Sequence, residues 1–263
     1  MNCVRLLSLD FDGTLVRDWA PPPFSQSLVD ILTELRRRHG VMIALNTGRS
    51  LALMEHGLES TGFPIRPDFA LTTEREVFRW IGSGWEDFGE WNSRCAEAHD
   101  ELFARVGPLL EEISTFVEKC AGTRLCHEEG RFVGVVAQSI SQMDEICEFI
   151  RSRRSYFPSF SYQRNSIYIR FCHASYDKGA ALAELQRLIG IPPAETFAAG
   201  DNLNDLAMLD AALAHFLACP SNAIEEVKSA VRRQNGFVAS EDSGNGVAEA
   251  LEYFIPGLSQ RSS

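Results

Sequence analysis

The chain reads as an α/β protein: a doubly wound parallel sheet with helices on both faces, interrupted by an inserted α+β domain. Three observations predict this. At both ends of the sequence short apolar runs alternate with amphipathic helical stretches. Between roughly residues 81 and 171 that alternation gives way to helices and hairpins. Acid-rich loops follow two of the apolar runs, where ligands gather beyond the carboxyl ends of parallel strands.

Residues Val4 to Leu9 form the first buried strand and end in an acidic cluster. A Pro-rich loop at Pro21 to Pro23 precedes a helix from Ser25 to His39, apolar at Leu28, Ile31, Leu32 and Leu35 and basic in its last turn. Val41 to Leu45 is a second strand, "NTGRS" a loop, Leu51 onward a helix, and Pro67 to Leu71 a third strand. In the insert, Asn92 to Lys119 reads as one long helix. "TRLCHEE" and "RFVGVVAQS" form a hairpin through Glu129-Gly130, Ser141 to Arg154 a helix, and "FSYQR" with "SIYIRF" a second hairpin turning at Asn165. The first pattern then resumes. "DKGAALAELQRLIG" is a helix stopped by Gly190, "TFAAGD" a strand, "NDLAMLDAA" a helix and "AHFLACP" a strand. "NAIEEVKSAV", "FVAS" and "GVAEALEYF" complete it as helix, strand and helix, and the tail "SQRSS" is expected to be disordered. The implied division is a core of residues 1–80 and 172–263 and an inserted domain of residues 81–171.

At 263 residues, with 45% hydrophobic and 23% charged residues, the composition is that of a globular protein with a sizeable core. A formal net charge of −11 argues against a nucleic-acid-binding face, which phosphates would repel. The seven cysteines are scattered, with no CxxC pair, and are expected to be reduced and mostly buried. The N-terminal apolar run is too short for a signal peptide, and no stretch approaches the ~20 apolar residues of a membrane span. The expectation is a cytoplasmic protein without membrane or nucleic-acid partners.

Asp10 and Asp12 sit two residues apart in "DFDGT", directly after the first strand. Two carboxylates so close repel each other, and a divalent cation rewards keeping both; an all-oxygen donor set suits magnesium. A helix cap plus a turn acid is the plainer explanation of either residue alone. Gly200-Asp201-Asn202-Leu203-Asn204-Asp205 is a second acidic loop after a strand. Capping accounts less well for two such loops at one end of one sheet. Thr47 and Gly48 of "NTGRS" supply a hydroxyl and an amide at a helix N-terminus, which is either a phosphate cradle or another cap.

In this order, "DFDGT", the Thr of "NTGR", the Lys of "YDKGAAL" and "GDNLND" resemble the four motifs of the haloacid dehalogenase-like phosphohydrolases. The likeness extends to "SNAIEEVKSAV" and "GNGVAEAL". The insert between the second and third motifs looks like a C2B cap, which places the chain nearest the Cof-type, sucrose-phosphate and mannosyl-phosphoglycerate phosphatases. The resemblance implies a Rossmann-like core, a magnesium ion and a small phosphorylated metabolite as substrate. Carried over, Asp10 is the nucleophile and Asp12 the general acid and base. The Asp10 carboxylate, the Asp12 backbone carbonyl and Asp201 hold the metal, with Asp205 and Asn204 ordering that shell. Thr47, Gly48 and Lys178 hold the phosphoryl oxygens, with Asn204 counted among the substrate-side residues. The function implied is a phosphatase working through an aspartyl phosphate, acting on a sugar phosphate. A phosphomutase using the same phospho-Asp10, or a binding protein that kept the fold, are the alternatives.

The sequence departs from the family at "LTTEREVF", where Glu74 and Arg75 replace a turn that commonly contains glycine. These residues either close the pocket, contact substrate or form a differently shaped turn, and the last is the simplest reading. In the insert, the polar Arg164-Asn165-Ser166 turn is the candidate for leaving-group contacts.

Overall fold

A computed structural model describes residues 3–17, 21–128, 130–256 and 258. In chain order the elements are β1 (Leu6–Leu9), α1 (Gln26–His39), β2 (Met42–Asn46), α2 (Leu51–Thr61), β3 (Phe69–Thr72), β4 (Glu76–Trp80) and β5 (Trp85–Asp87). Then come α3 (Trp91–Arg105), α4 (Gly107–Glu118), β6 (Arg124–Glu128), β7 (Arg131–Val136), α5 (Ile140–Arg153), β8 (Phe160–Asn165) and β9 (Tyr168–His173). The chain closes with α6 (Lys178–Ile189), β10 (Thr196–Ala199), β11 (Phe216–Cys219), α7 (Glu225–Arg233), β12 (Phe237–Val238) and α8 (Ser243–Phe254).

Residues 1–92 with 178–263 form one compact unit and Ser93–Asp177 a second. The first unit is built on an eight-stranded sheet in the order β12-β11-β10-β1-β2-β3-β4-β5. Neighbours from β12 to β3 are parallel, while β3-β4 and β4-β5 are antiparallel. The strands alternate their side chains between two apolar clusters. Leu7 and Leu9 of β1 pack with α1, α2 and α8 through Leu32, Met54 and Leu251. Leu6 packs with α6 and α7 through Leu182 and Val227. Burial on both faces explains why these strands read as unbroken apolar runs.

Each cap follows from local sequence. Ser25 accepts from the Leu28 amide and opens α1, and Gly40, at φ 62°, closes it. Because β1 lies between β2 and β10 in parallel register, with Leu9 opposite both Leu45 and Ala199, the loops after these three strands emerge together. That places the two acidic loops and "NTGRS" side by side.

The second unit is an antiparallel sheet in the order β6-β7-β9-β8. Its core joins Ile113 and Val117 of α4, Met143 and Ile150 of α5, and Val135, Ile169 and Phe171 of the strands.

Four sequence expectations are corrected. The division falls at 92/93 and 177/178 rather than at 80/81 and 171/172. Residues 81–92 stay with the core because β5 pairs with β4, and the Asn92 side chain accepts from the Val77 amide at 2.7 Å. The expected helix from Asn92 to Lys119 is two, α3 and α4, separated at Val106, where Pro108 in the first turn of α4 cannot donate to a preceding helix. "NDLAMLDAA" is a short 3₁₀ turn at Leu203–Asp205 followed by isolated turns. Gln234 accepts from the Ala211 amide and donates to the Leu209 carbonyl, and Asp210 accepts from the Ala212 amide, so side chains hold groups a helix would pair. The second hairpin turns one residue late, after Asn165, with Ser166 at φ 53°. The tail, residues 259–263, and Glu129 lie outside the described residues. All seven cysteines are free thiols, four of them buried. No helix among the described residues is long and apolar enough to cross a membrane.

Candidate active site

The loop after β1 is fixed before any side chain is considered. The Asp10 amide donates to Ala199 O at 3.0 Å, joining the loop to the end of β10. Gly13 adopts φ 82°, and a Cβ there would lie 2.7 Å from Asp201 Oδ2, so both conformation and space require glycine. Thr14, fully buried, donates to Asp201 Oδ1 at 2.9 Å. Asn222 Nδ2 donates to Gly13 O at 2.8 Å.

Lys178 opens α6 with no solvent exposure, and its ammonium donates at 2.6 Å to both Asp10 Oδ1 and Asp205 Oδ1. Asp205 completes its bonding by accepting the amides of Asp201 and Asn202 on Oδ2, at 2.8 and 2.9 Å. Asn46, at the end of β2, donates to Lys178 O at 3.0 Å and so fixes the start of α6.

Carboxylate oxygens of Asp10, Asp201 and Asp205 lie within 4.8 Å of one another. Burial, then the Asp205 charge, pushes the Asp10 carboxyl well above its ordinary range. The same causes push Asp201 up to about 7. Burial pulls the Lys178 ammonium down, but Asp10, Asp205 and Glu74 more than offset this, so it stays charged. One cation thus faces three clustered acids, and their repulsion is left partly uncompensated.

In the loop after β2, the Thr47 amide donates to Leu71 O at 2.8 Å and its hydroxyl accepts the Arg49 amide at 3.2 Å. The Arg49 guanidinium forks onto Asp12, with Nε 2.7 Å from Oδ2 and Nη2 2.6 Å from Oδ1. It also lies 5.1 Å over the Phe11 ring and donates to Leu53 O at 3.2 Å.

The turn after β3 carries Thr73 at φ 49° and Glu74 at φ 65°. Each side chain there costs about 1–2 kcal/mol in the left-handed region. The turn is held by two amides, Thr73 to Arg49 O at 2.8 Å and Glu74 to Thr47 O at 3.0 Å. The Glu74 carboxylate is buried and accepts from Asn204 Nδ2 at 2.8 Å.

This geometry can be set beside known proteins. Residues 129–251 match the family of haloacid dehalogenase-like hydrolases. The chain is 33% identical over 274 aligned residues to the putative phosphatase YxeH of Bacillus subtilis, covering 95% of this chain and 98% of that one. The chain belongs to the haloacid dehalogenase-like hydrolase family. A shorter match, 36% identical over 89 residues, covers 34% of this chain. It spans only 29% of the 5-amino-6-(5-phospho-D-ribitylamino)uracil phosphatase YwtE of B. subtilis. These names are consistent with a phosphoric monoester hydrolase. Among solved structures, the sucrose-phosphatase of Synechocystis sp. PCC6803 shares the fold, with a TM-score of 0.70 at 18% identity over 97% of this chain and 98% of that one.

Within this haloacid dehalogenase-like core, the structure gathers buried Asp10, Lys178 and Asp205 with half-buried Asp201 into one group. Thr47 and Gly48 join it through the Glu74 turn. The Asp12 carboxylate is outside the acidic cluster, in the grip of Arg49. Asn204 has one amide hydrogen committed to Glu74, while its Oδ1 is buried without a partner among the described residues. In the second unit, Arg164 is engaged by Asp144 at 2.6 Å and by Ser166 O at 3.0 Å, whereas Asn165 is exposed.

Sequence reasoning missed three residues, Arg49, Asn46 and Asn222. For Arg49 the sign match with Asp12 was the available signal. Of the readings open for Glu74, the structure shows a turn with the side chain buried. Asn46 and Asn222 gave no signal beyond lying in motif-like stretches.

Proposed function

We propose that the chain is a magnesium-dependent phosphatase that hydrolyses a small phosphorylated metabolite through an aspartyl phosphate on Asp10. The observation that carries this is the buried Asp10 carboxylate at the end of β1, bonded by Lys178 beside Asp201 and Asp205. The three clustered carboxylates form an all-oxygen donor set, and the upward push on Asp10 and Asp201, from burial first and the Asp205 charge second, marks buried negative charge that a dication would stabilise. Asp10 and Asp201 would hold the ion, with the Asp12 carbonyl and with Asp205 behind them. Bound there, magnesium supplies charge neutralisation at the phosphoryl oxygens.

The residues divide the remaining work. The Asp10 carboxylate attacks phosphorus as Asp12, released from the Arg49 fork and protonated, gives its proton to the departing ester oxygen. Asp12 then takes a proton from water, which attacks the acyl phosphate and returns Asp10 with release of inorganic phosphate. Splitting one difficult displacement into two lowers each barrier. Lys178, Thr47 and the Gly48 amide hold the transferred group in line.

A sugar phosphate or sugar derivative is the substrate class we favour, supported by the fold shared with a sucrose-phosphatase and by the second unit, which we read as a C2B-type cap. A phosphate-release screen over phosphorylated sugars, nucleotides and glycerate derivatives tests it. Asp10→Asn should lower kcat at least a thousandfold while leaving the melting temperature near that of the parent. Activity within tenfold of the parent would remove the aspartyl phosphate from the scheme.

A further inference from the structure

The turn after β3 holds a feature the proposed reaction does not use. Glu74 sits at φ 65° and Thr73 at φ 49°, where glycine is favoured, yet both side chains are retained and buried, at 6% and 7% exposure. The loop is over-determined by its amide bonds to the carbonyls of Thr47 and Arg49, which places Glu74 against the phosphate cradle. A Cβ built on Gly48 would lie 3.2 Å from Glu74 Oε1, so the carboxylate occupies the space beside Gly48. The same oxygen takes the Asn204 amide at 2.8 Å. Glu74 therefore touches two residues of the cradle, and its charge is felt by a third, Lys178.

A carboxylate in that place does not serve phosphate affinity, because like charges at short range repel. Nor is it needed to neutralise Lys178, which already has Asp10 and Asp205. Its repulsion acts on both phosphate species and matters most for the one with the fewest other contacts, the inorganic phosphate product. Substrate keeps the contacts of its leaving group, and the product does not.

We propose that Glu74 is a positioning residue that fixes the Asn204 amide and, by its charge beside Gly48, keeps the cradle from holding inorganic phosphate tightly. The inference rests on the phosphatase reading of the site and adds to it a means of product release.

The test compares the full chain with Glu74→Gln and Glu74→Gly, saturated with magnesium, using the inhibition constant for inorganic phosphate as readout. Glu74→Gln preserves size and an acceptor for Asn204 and removes only charge. It should bind phosphate at least tenfold more tightly and have a lower kcat, with KM for the same substrate also reduced. Glu74→Gly should also bind phosphate more tightly, keep or raise the melting temperature by relieving the turn, and lose additional kcat/KM through the freed Asn204. A purely structural Glu74 would weaken phosphate binding or leave it unchanged in Glu74→Gln; either result, at parental melting temperature, overturns the proposal. Failure of the underlying reading looks different: the parent itself would release no phosphate from any ester, or Asp10→Asn would remain active.

Discussion

Arg49 shows how much one side chain can be asked to do. Its fork occupies both oxygens of Asp12, and its third nitrogen and planar face are spent on Leu53 O and Phe11. Lysine cannot reproduce a planar two-point contact. Arg49→Lys should therefore lower kcat by about 100-fold, the low end of general acid–base catalysis, and alter the pH profile of kcat, with little change in melting temperature because the pair is part-exposed. A second variant reaches the same contact without touching it. Gly57 lies within α2, where alanine ordinarily stabilises a helix by about 1 kcal/mol. Here a Cβ would fall 2.6 Å from Arg49 Nη1 and 2.9 Å from Phe11 Cε1. Gly57→Ala should lower the melting temperature and shift kcat in the same direction as Arg49→Lys. A more stable, fully active Gly57→Ala would show that the fork is not needed.

Among the elements, strand ends rather than strand interiors bring the candidate site residues together. β1, β2, β3 and β10 deliver Asp10, Thr47, Glu74 and Asp201 respectively, and α6 begins at Lys178. The second unit has a different grammar, with an antiparallel sheet against three helices. Asn165, the last residue of β8, is an exposed polar side chain beside the β8–β9 turn, while Arg164 is held by Asp144. Asn165→Ala is therefore the cleaner probe of a leaving-group role. It should reduce kcat/KM for the best natural ester by at least fivefold more than for p-nitrophenyl phosphate, since only the larger leaving group can use such binding energy. Equal effects on both esters would assign the turn to something other than recognition. These hairpins were legible because Gly130 and alternating residues announce them. The breaks at Val106 and after Asp205 were not, because apolar spacing continues across both and only Pro108 and the side chains of Gln234 and Asp210 interrupt it.

For the whole molecule, the acidic site couples stability to pH and to metal. Burial and Asp205 raise the Asp201 carboxyl from 3.8 to about 7 in the metal-free protein. A carboxyl raised on folding binds more protons in the native than in the unfolded chain between those values, so its contribution to stability falls as pH rises from about 4 through 7. In chelator, Asp201→Asn should melt above the parent at pH 8, and the difference should shrink as pH is lowered to 6. Magnesium should raise the parent's melting temperature and should not raise that of the variant; equal stabilisation of both would place the ion elsewhere. The sequence by itself determined the α/β core, the presence of an α+β insert, and the order of Asp10, Thr47, Lys178 and Asp201, because period, strand-end acids and helix stops are local signals. Only the tertiary structure decided that residues 81–92 stay with the core sheet, that Arg49 grips Asp12 and that Glu74 enters the cradle. Each of these depends on pairing between segments far apart in the chain, where sequence spacing carries no distance.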